Sequence, residues 1–152
     1  MLTLGPWIYL VPQFKPESVL ILGFGDGTVA GLIRKLYGNE VRITGVDIEQ
    51  PLHTYNSKFL LEDARDYLKW YSHYQCIIVD LFVGYDICNF VFEKDFADVI
   101  SDKCDYLIIH ADEDSDMSHY EHLYKVRTLE LTTHRFHYFL LTRVIRGFPF
   151  HA

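Results

Sequence analysis

Short apolar runs alternate with longer segments of helical period along most of this chain. Val19 to Leu22, about Val41 to Asp47, Cys76 to Asp80 and Asp105 to His110 each read as a buried strand, and Lys58 to Leu61 reads as a shorter one. After Gly27, Val29, Leu32, Ile33, Leu36 and Tyr37 recur on one helical face, and the helix stops at Gly38. Ala64 to Tyr74 and about Phe90 to Ser101 read as two more helices, and Ser115 to Tyr124 as a short one. Glu49 to Ser57, interrupted by Pro51 and Asn56, is too short and broken for a helix, so this crossover reduces to a loop. Val126 to Thr132 and Phe136 to Ile145 alternate in period two and predict a closing antiparallel pair. The sum is an α/β domain over residues 16–152. Its mixed seven-stranded sheet has five parallel strands plus the C-terminal antiparallel pair, with helices on both faces. Residues 1–15 form an N-terminal extension whose aromatic stretch, Pro6 to Leu10, could fold over the nucleoside pocket but is expected to cover the sheet's outer helices.

The chemistry concentrates where the first strand ends. Gly23-Phe24-Gly25-Asp26-Gly27 is a glycine turn between a strand and a helix, and Asp47 stands at the tip of the next strand, twenty residues past Gly27. That spacing is the layout of a nucleoside-binding half of a doubly wound sheet, with the acid accepting from ribose hydroxyls. A dinucleotide fingerprint requires G-x-G-x-x-G, whereas here the third glycine falls one place early and Thr28 takes its position. Asp26 inside the turn would repel a pyrophosphate and favour an ammonium or sulfonium group. The turn therefore favours S-adenosylmethionine, or a close relative such as its decarboxylated form or methylthioadenosine, over NAD.

Four ordered blocks within Pro16 to Ile109 resemble the spermidine synthases and spermidine synthase-like proteins. GFGDGT at 23–28 resembles their GGGDGG turn, and GVDIE at 45–49 resembles their VEID segment. Glu62-Asp63-Ala64-Arg65-Asp66-Tyr67-Leu68 is similar to their GDARDFL block, and residues 77–96 to their IIVDAFSG stretch, with Cys88 in the place of a proline. The resemblance implies the Rossmann-like class I S-adenosylmethionine-dependent methyltransferase fold. It also implies a cofactor site at Gly23, Phe24, Gly25, Asp26, Gly27, Asp47, Ile48, Asp63, Ala64 and Asp80. Aminopropyltransferases carry D-S-S-D after the fourth strand, the second Asp acting as base on the amine. This chain reads Asp80-Leu81-Phe82-Val83, so no base stands at that position. The family's N-terminal β-domain also has no counterpart in the roughly fifteen residues before the first strand. The expected function is a methyltransferase-like protein of this group. Aminopropyl transfer and a nucleoside-binding protein without catalysis are the alternatives.

Individual residues carry competing readings. Asp63 can accept from the adenine amino group while the Ala64 N–H donates to the ring, or it can simply cap the following helix. Asp80 ends a buried strand at the ligand edge, where an unpaired carboxylate is costly, and His110 ends the next as a candidate proton acceptor; these two are the catalytic candidates. The run Asp112-Glu113-Asp114-Ser115-Asp116 reads as a solvated loop, or as an acidic lip for a cationic acceptor or a divalent ion. His119 and His122 share a helix face without a third ligand, and His134 and His137 are expected on opposite faces of one strand, so no metal site is expected.

Bulk properties narrow the partners. With 152 residues and 49% hydrophobic content the chain can bury one real core. A net charge of -7 argues against nucleic acid as partner and leaves a small-molecule, cationic substrate open, with a homodimer also open. No apolar run reaches membrane-spanning length, and the N-terminus lacks a basic, cleavable leader. Cys76 and Cys104 sit in or beside apolar strands and read as buried free thiols, as in a cytoplasmic protein.

Overall fold

The structure, a computed structural model, describes residues 5–70, 73–121, 127–134 and 137–144. The elements are β1 (Ser18–Leu22), α1 (Thr28–Tyr37), β2 (Arg42–Asp47), β3 (Lys58–Leu61), α2 (Ala64–Leu68), β4 (Tyr74–Val79), β5 (Phe82–Val83), β6 (Asp86–Ile87), α3 (Lys94–Ser101), β7 (Cys104–Asp112), α4 (Ser118–Glu121), β8 (Arg127–His134) and β9 (His137–Val144). Seven strands form one sheet in the order β3-β2-β1-β4-β7-β9-β8, while β5 and β6 pair as a separate small hairpin. The first five strands are parallel to one another; β9 runs antiparallel to β7, and β8 antiparallel to β9. This is the predicted mixed sheet.

Both faces are packed, and the period-two side-chain alternation divides the strands between them. Leu20, Leu22, Ile77, Val79, Leu107 and Ile109 face α2, α3 and α4. Val19, Ile21, Cys76, Ile78, Tyr106 and Ile108 face α1 and the N-terminal segment. The 3-10 turn Pro6–Leu10 belongs to that second core: Leu10 is fully buried and the Tyr9 ring stacks on Phe139 at 5.2 Å. The N-terminal aromatic stretch, expected over the outer helices, packs against both α1 and this sheet face.

The helices depart from the sequence pattern in four places. The segment expected to be helical from Ala64 to Tyr74 ends at Leu68, because Lys69 N–H folds back onto the Asp66 and Tyr67 carbonyls and Tyr74 is drawn into the sheet opposite Cys104. Trp70 is left exposed, and residues 71–72 lie outside the described residues. The expected 90–101 helix is split by Glu93, whose extended backbone (ψ 150) ends a 3-10 turn and starts α3. Leu36, expected on the core face of α1, is exposed because the apolar contacts are made in the first two turns. The expected helix 115–124 is observed over Ser118–Glu121; residues 122–126, and Phe136 and Ile145 of the predicted hairpin, lie outside the described residues.

The crossover between β2 and β3 contains no helix, in keeping with its sequence. Arg34 of α1 holds it, donating to the carbonyls of Tyr55 and Asn56 as well as to that of Val41. Tyr55 and Asn56 both have positive φ, 49° and 61°, a turn that the arginine fixes from below. Among the described residues no helix is long and apolar enough to cross a membrane.

Candidate functional site

The strand order reverses at β1, with β2 on one side and β4 on the other, and open α/β sheets bind ligands at the carboxyl edge of that point. A cavity of about 560 Å³ lies there. The turn after β1 supplies Gly23 and Gly25; the end of β2 and the residues after it supply Asp47, Ile48 and Glu49; the β3–α2 junction supplies Glu62, Asp63 and Ala64; the residue after β4 is Asp80. Seven of the residues singled out from the sequence therefore converge on one cavity. Phe24, Asp26 and Gly27 do not line it.

Asp47 organises the centre. Its carboxylate accepts from Gly25 N–H at 2.8 Å and from Glu49 N–H at 3.2 Å, one bond to each oxygen. Each oxygen keeps a further lone pair, so the group can also accept from two vicinal hydroxyls. Because Gly25 N–H is turned to Asp47, it is not aimed at a phosphate. Ile48 beside it is 66% exposed, an apolar surface on the cavity wall.

Asp63 fills the role of helix cap and also lines the cavity. It accepts from Arg65 N–H at 2.8 Å and pairs with the Arg65 guanidinium at 3.0 Å. The Arg65 side chain holds the Asp63 carboxyl below its ordinary range, so it stays ionised. The same guanidinium lies 4.2 Å over the Phe90 ring, which fixes Arg65 against the cavity wall.

The turn residues that do not line the cavity have local reasons for their identity. Phe24 is buried, its ring meeting Phe59 and lying where a Cβ on Gly45 would come within 2.1 Å, so it seals β2 against the turn. Gly27, at φ 89°, packs on the crossover loop, and a Cβ there would stand 2.4 Å from the His53 carbonyl. Asp26 is exposed.

Asp80 connects the cavity to histidines. Its Oδ1 is 2.8 Å from His110 Nδ1, and His110 Nε2 is 2.9 Å from His137 Nδ1. The two catalytic candidates are thus hydrogen-bonded to each other. His137 is the residue that the sequence pattern missed. His134 and His137 lie on the two strands of the closing hairpin and face each other in register, rather than pointing to opposite sides of one strand. Only the antiparallel register, with His110 opposite Phe139, brings His137 to His110, and no sequence spacing encodes it. Among the described residues no group of three or more His, Cys, Asp and Glu side chains is arranged to hold a metal ion.

Beyond Val83 and Cys88 the cavity adjoins a second one of about 740 Å³, lined by Asp86, Glu93, Asp112, Asp114 and Asp116. The 112–116 loop is partly self-satisfied, since the Asp112 carboxylate accepts from Asp114 N–H and the Ser115 hydroxyl. Cys88 is half-buried on the wall common to both cavities, whereas Cys76 and Cys104 are fully buried, and burial pushes the Cys76 thiol far up. None of the three cysteines is joined in a disulfide. A thiol reagent is expected to label about one cysteine per native chain, Cys88, and all three only after unfolding, as mass spectrometry would report.

No protein-family model matches the chain, and no curated protein sequence does. Solved structures do match. The human methyltransferase-like protein 13 in complex with SAH superposes with a TM-score of 0.70 at 14% identity, over 93% of this chain and 80% of that one. The spermidine synthase from Thermotoga maritima matches at 0.61 and 15% identity, over 92% of this chain. The Aeropyrum pernix fibrillarin with natively bound S-adenosyl-L-methionine matches at 0.56 and 16%, over 87% of this chain and 68% of that one. This chain has the Rossmann-like class I methyltransferase fold shared by methyltransferases and spermidine synthases. It spans only 56% of the Thermotoga spermidine synthase.

Proposed function

We propose that the chain binds S-adenosylmethionine in the 560 Å³ cavity and acts as a small-molecule methyltransferase of the spermidine synthase-like group. One observation carries this reading. Among the described residues, five carboxylates (Asp47, Glu49, Glu62, Asp63, Asp80) line the cavity against a single cation, Arg65, which is already paired with Asp63. A pyrophosphate would meet uncompensated negative charge there, whereas a ligand with a ribose, an α-ammonium and a sulfonium meets favourable charge. The fold's neighbours that hold SAH or S-adenosyl-L-methionine support the same ligand.

In this reading Asp47 accepts from the ribose hydroxyls, Ile48 packs on the adenine, Asp63 and the Ala64 N–H address the adenine edge, and Asp80 faces the cationic end. The cofactor supplies an electrophilic methyl group on a sulfonium. The chain's own contribution is orientation, since holding nucleophile and methyl in line removes much of the entropic barrier. The carboxylates of the adjoining cavity support a cationic small-molecule acceptor. Three cysteines without a disulfide fit a reducing compartment, the cytoplasm.

Titration calorimetry with S-adenosylmethionine, methylthioadenosine and NAD tests the ligand. Tighter binding of NAD than of either adenosyl compound overturns it. Turnover of decarboxylated S-adenosylmethionine with putrescine is expected to fall at least about a hundredfold below that of an enzyme with a positioned base. Val83, 68% exposed on the β5–β6 hairpin, carries no proton acceptor at that position. Sustained release of methylthioadenosine would promote aminopropyl transfer instead. Val83 also favours a second reading, a nucleoside-binding protein without catalysis, which binding without transfer across an amine panel would support.

A further inference from the structure

We infer that His137 is a positioning residue that acts through His110 to fix the carboxylate of Asp80 in the cavity; only the ligand in this inference rests on the proposed function. The three side chains sit at the end of β4, on β7 and on β9, consecutive in the sheet, and of the three only Asp80 lines the cavity. With Asp80 ionised and His110 neutral, the two contacts fix where the protons sit. An ionised carboxylate can only accept, so His110 donates from Nδ1 to Asp80 Oδ1 across 2.8 Å. A neutral His110 then has a bare Nε2, and the 2.9 Å contact is satisfied only when His137 donates its Nδ1 proton.

The surroundings hold this arrangement. The His110 side chain is 11% exposed, stacked on Phe139 with centroids 4.9 Å apart and met by the edge of Phe82 at 5.0 Å. Asp112, directly across the strand pair from His137, is engaged with Asp114 N–H and the Ser115 hydroxyl. His134, across the hairpin from His137, packs against Tyr9 at 5.4 Å. Without the His137 donor, His110 can move its proton to Nε2, which releases Asp80 from its orientation.

The test compares His137→Ala with His137→Asn. Asparagine keeps an N–H where the imidazole Nδ1–H stood but cannot pass a proton through a ring. His137→Ala is expected to weaken S-adenosylmethionine about tenfold, the scale of one hydrogen bond to a charged group. Methylthioadenosine has neither ammonium nor sulfonium, so its affinity stays within about twofold of the native value. His137→Asn restores native affinity for both. Nitrogen-15 NMR of the native protein is expected to show His110 protonated at Nδ1 and bare at Nε2, with both tautomers populated in His137→Ala. A loss in His137→Asn as large as in His137→Ala would overturn the positioning role, as would a native His110 protonated at Nε2 alone. If the native protein fails to bind S-adenosylmethionine, the ligand reading fails while the tautomer measurement still decides the network.

Discussion

Asp47→Ala is expected to weaken S-adenosylmethionine binding by about 2 kcal/mol or more, roughly thirtyfold in Kd. Two losses combine in that figure. The ribose hydroxyls lose a charge-assisted acceptor pair, and Gly25 N–H and Glu49 N–H lose the oxygens that hold the glycine turn and the end of β2 in place. Asp47→Asn is expected to fall between native and Ala, since one oxygen remains for one of the two backbone donors while the amide nitrogen faces the other. The loss extends equally to methylthioadenosine, because the ribose is common to both ligands. That equality separates Asp47 from Asp80 and His137, whose effects are expected only for ligands with a positive charge. Titration calorimetry reads both points directly, and an unchanged Kd in Asp47→Ala would remove the ribose assignment.

Most of the sheet was legible in the sequence because its strands are buried on both faces. A run such as Cys76 to Val79, apolar throughout and ended by Asp80, reads as a strand buried on both faces. The carboxylates at the strand ends were legible for the same reason: when the apolar run fixes where a strand stops, it fixes which acid stands at the carboxyl edge. Helix lengths were less legible. Residues 64–74 have helical character throughout, but Tyr74 pairs with Cys104 and its hydroxyl meets that of Tyr67 at 2.6 Å, so tertiary pairing overrides local preference. His137 was illegible for a different reason. Its role depends on the register between β7 and β9, elements joined by a long connection, and register is a property of the pair rather than of either strand. The separate parts played by the turn residues were also hidden. Gly23, Phe24, Gly25 and Gly27 look like one ligand motif, yet Phe24 and Gly27 face the packing beneath the turn.

Gly23→Ala is expected to be the most damaging single substitution in the turn, costing about 3 kcal/mol of stability or more. Gly23 has φ 87°, and an L-residue in that region costs about 1–2 kcal/mol before any contact is considered. The larger part is steric. A Cβ at this position would stand 2.0 Å from the Asp80 carbonyl oxygen and 2.6 Å from its carbon, both backbone atoms with no rotamer to yield. The ends of β1 and β4 are further tied where Asp80 N–H donates to the Leu22 carbonyl at 2.8 Å, so relief of the clash breaks that bond as well. For a domain of this size the loss lowers Tm by about 6–12 °C. Gly25→Ala is the control: its φ is also positive, but nothing lies within 4 Å of the added Cβ, so only the backbone cost of about 1–2 kcal/mol is expected. Thermal or denaturant unfolding of the two variants separates the terms. Equal destabilisation would mean that β1 and β4 tolerate being pushed apart. A larger loss in Gly23→Ala would show that the close approach of β1 to Asp80, which sets the floor of the cavity, is what requires glycine there.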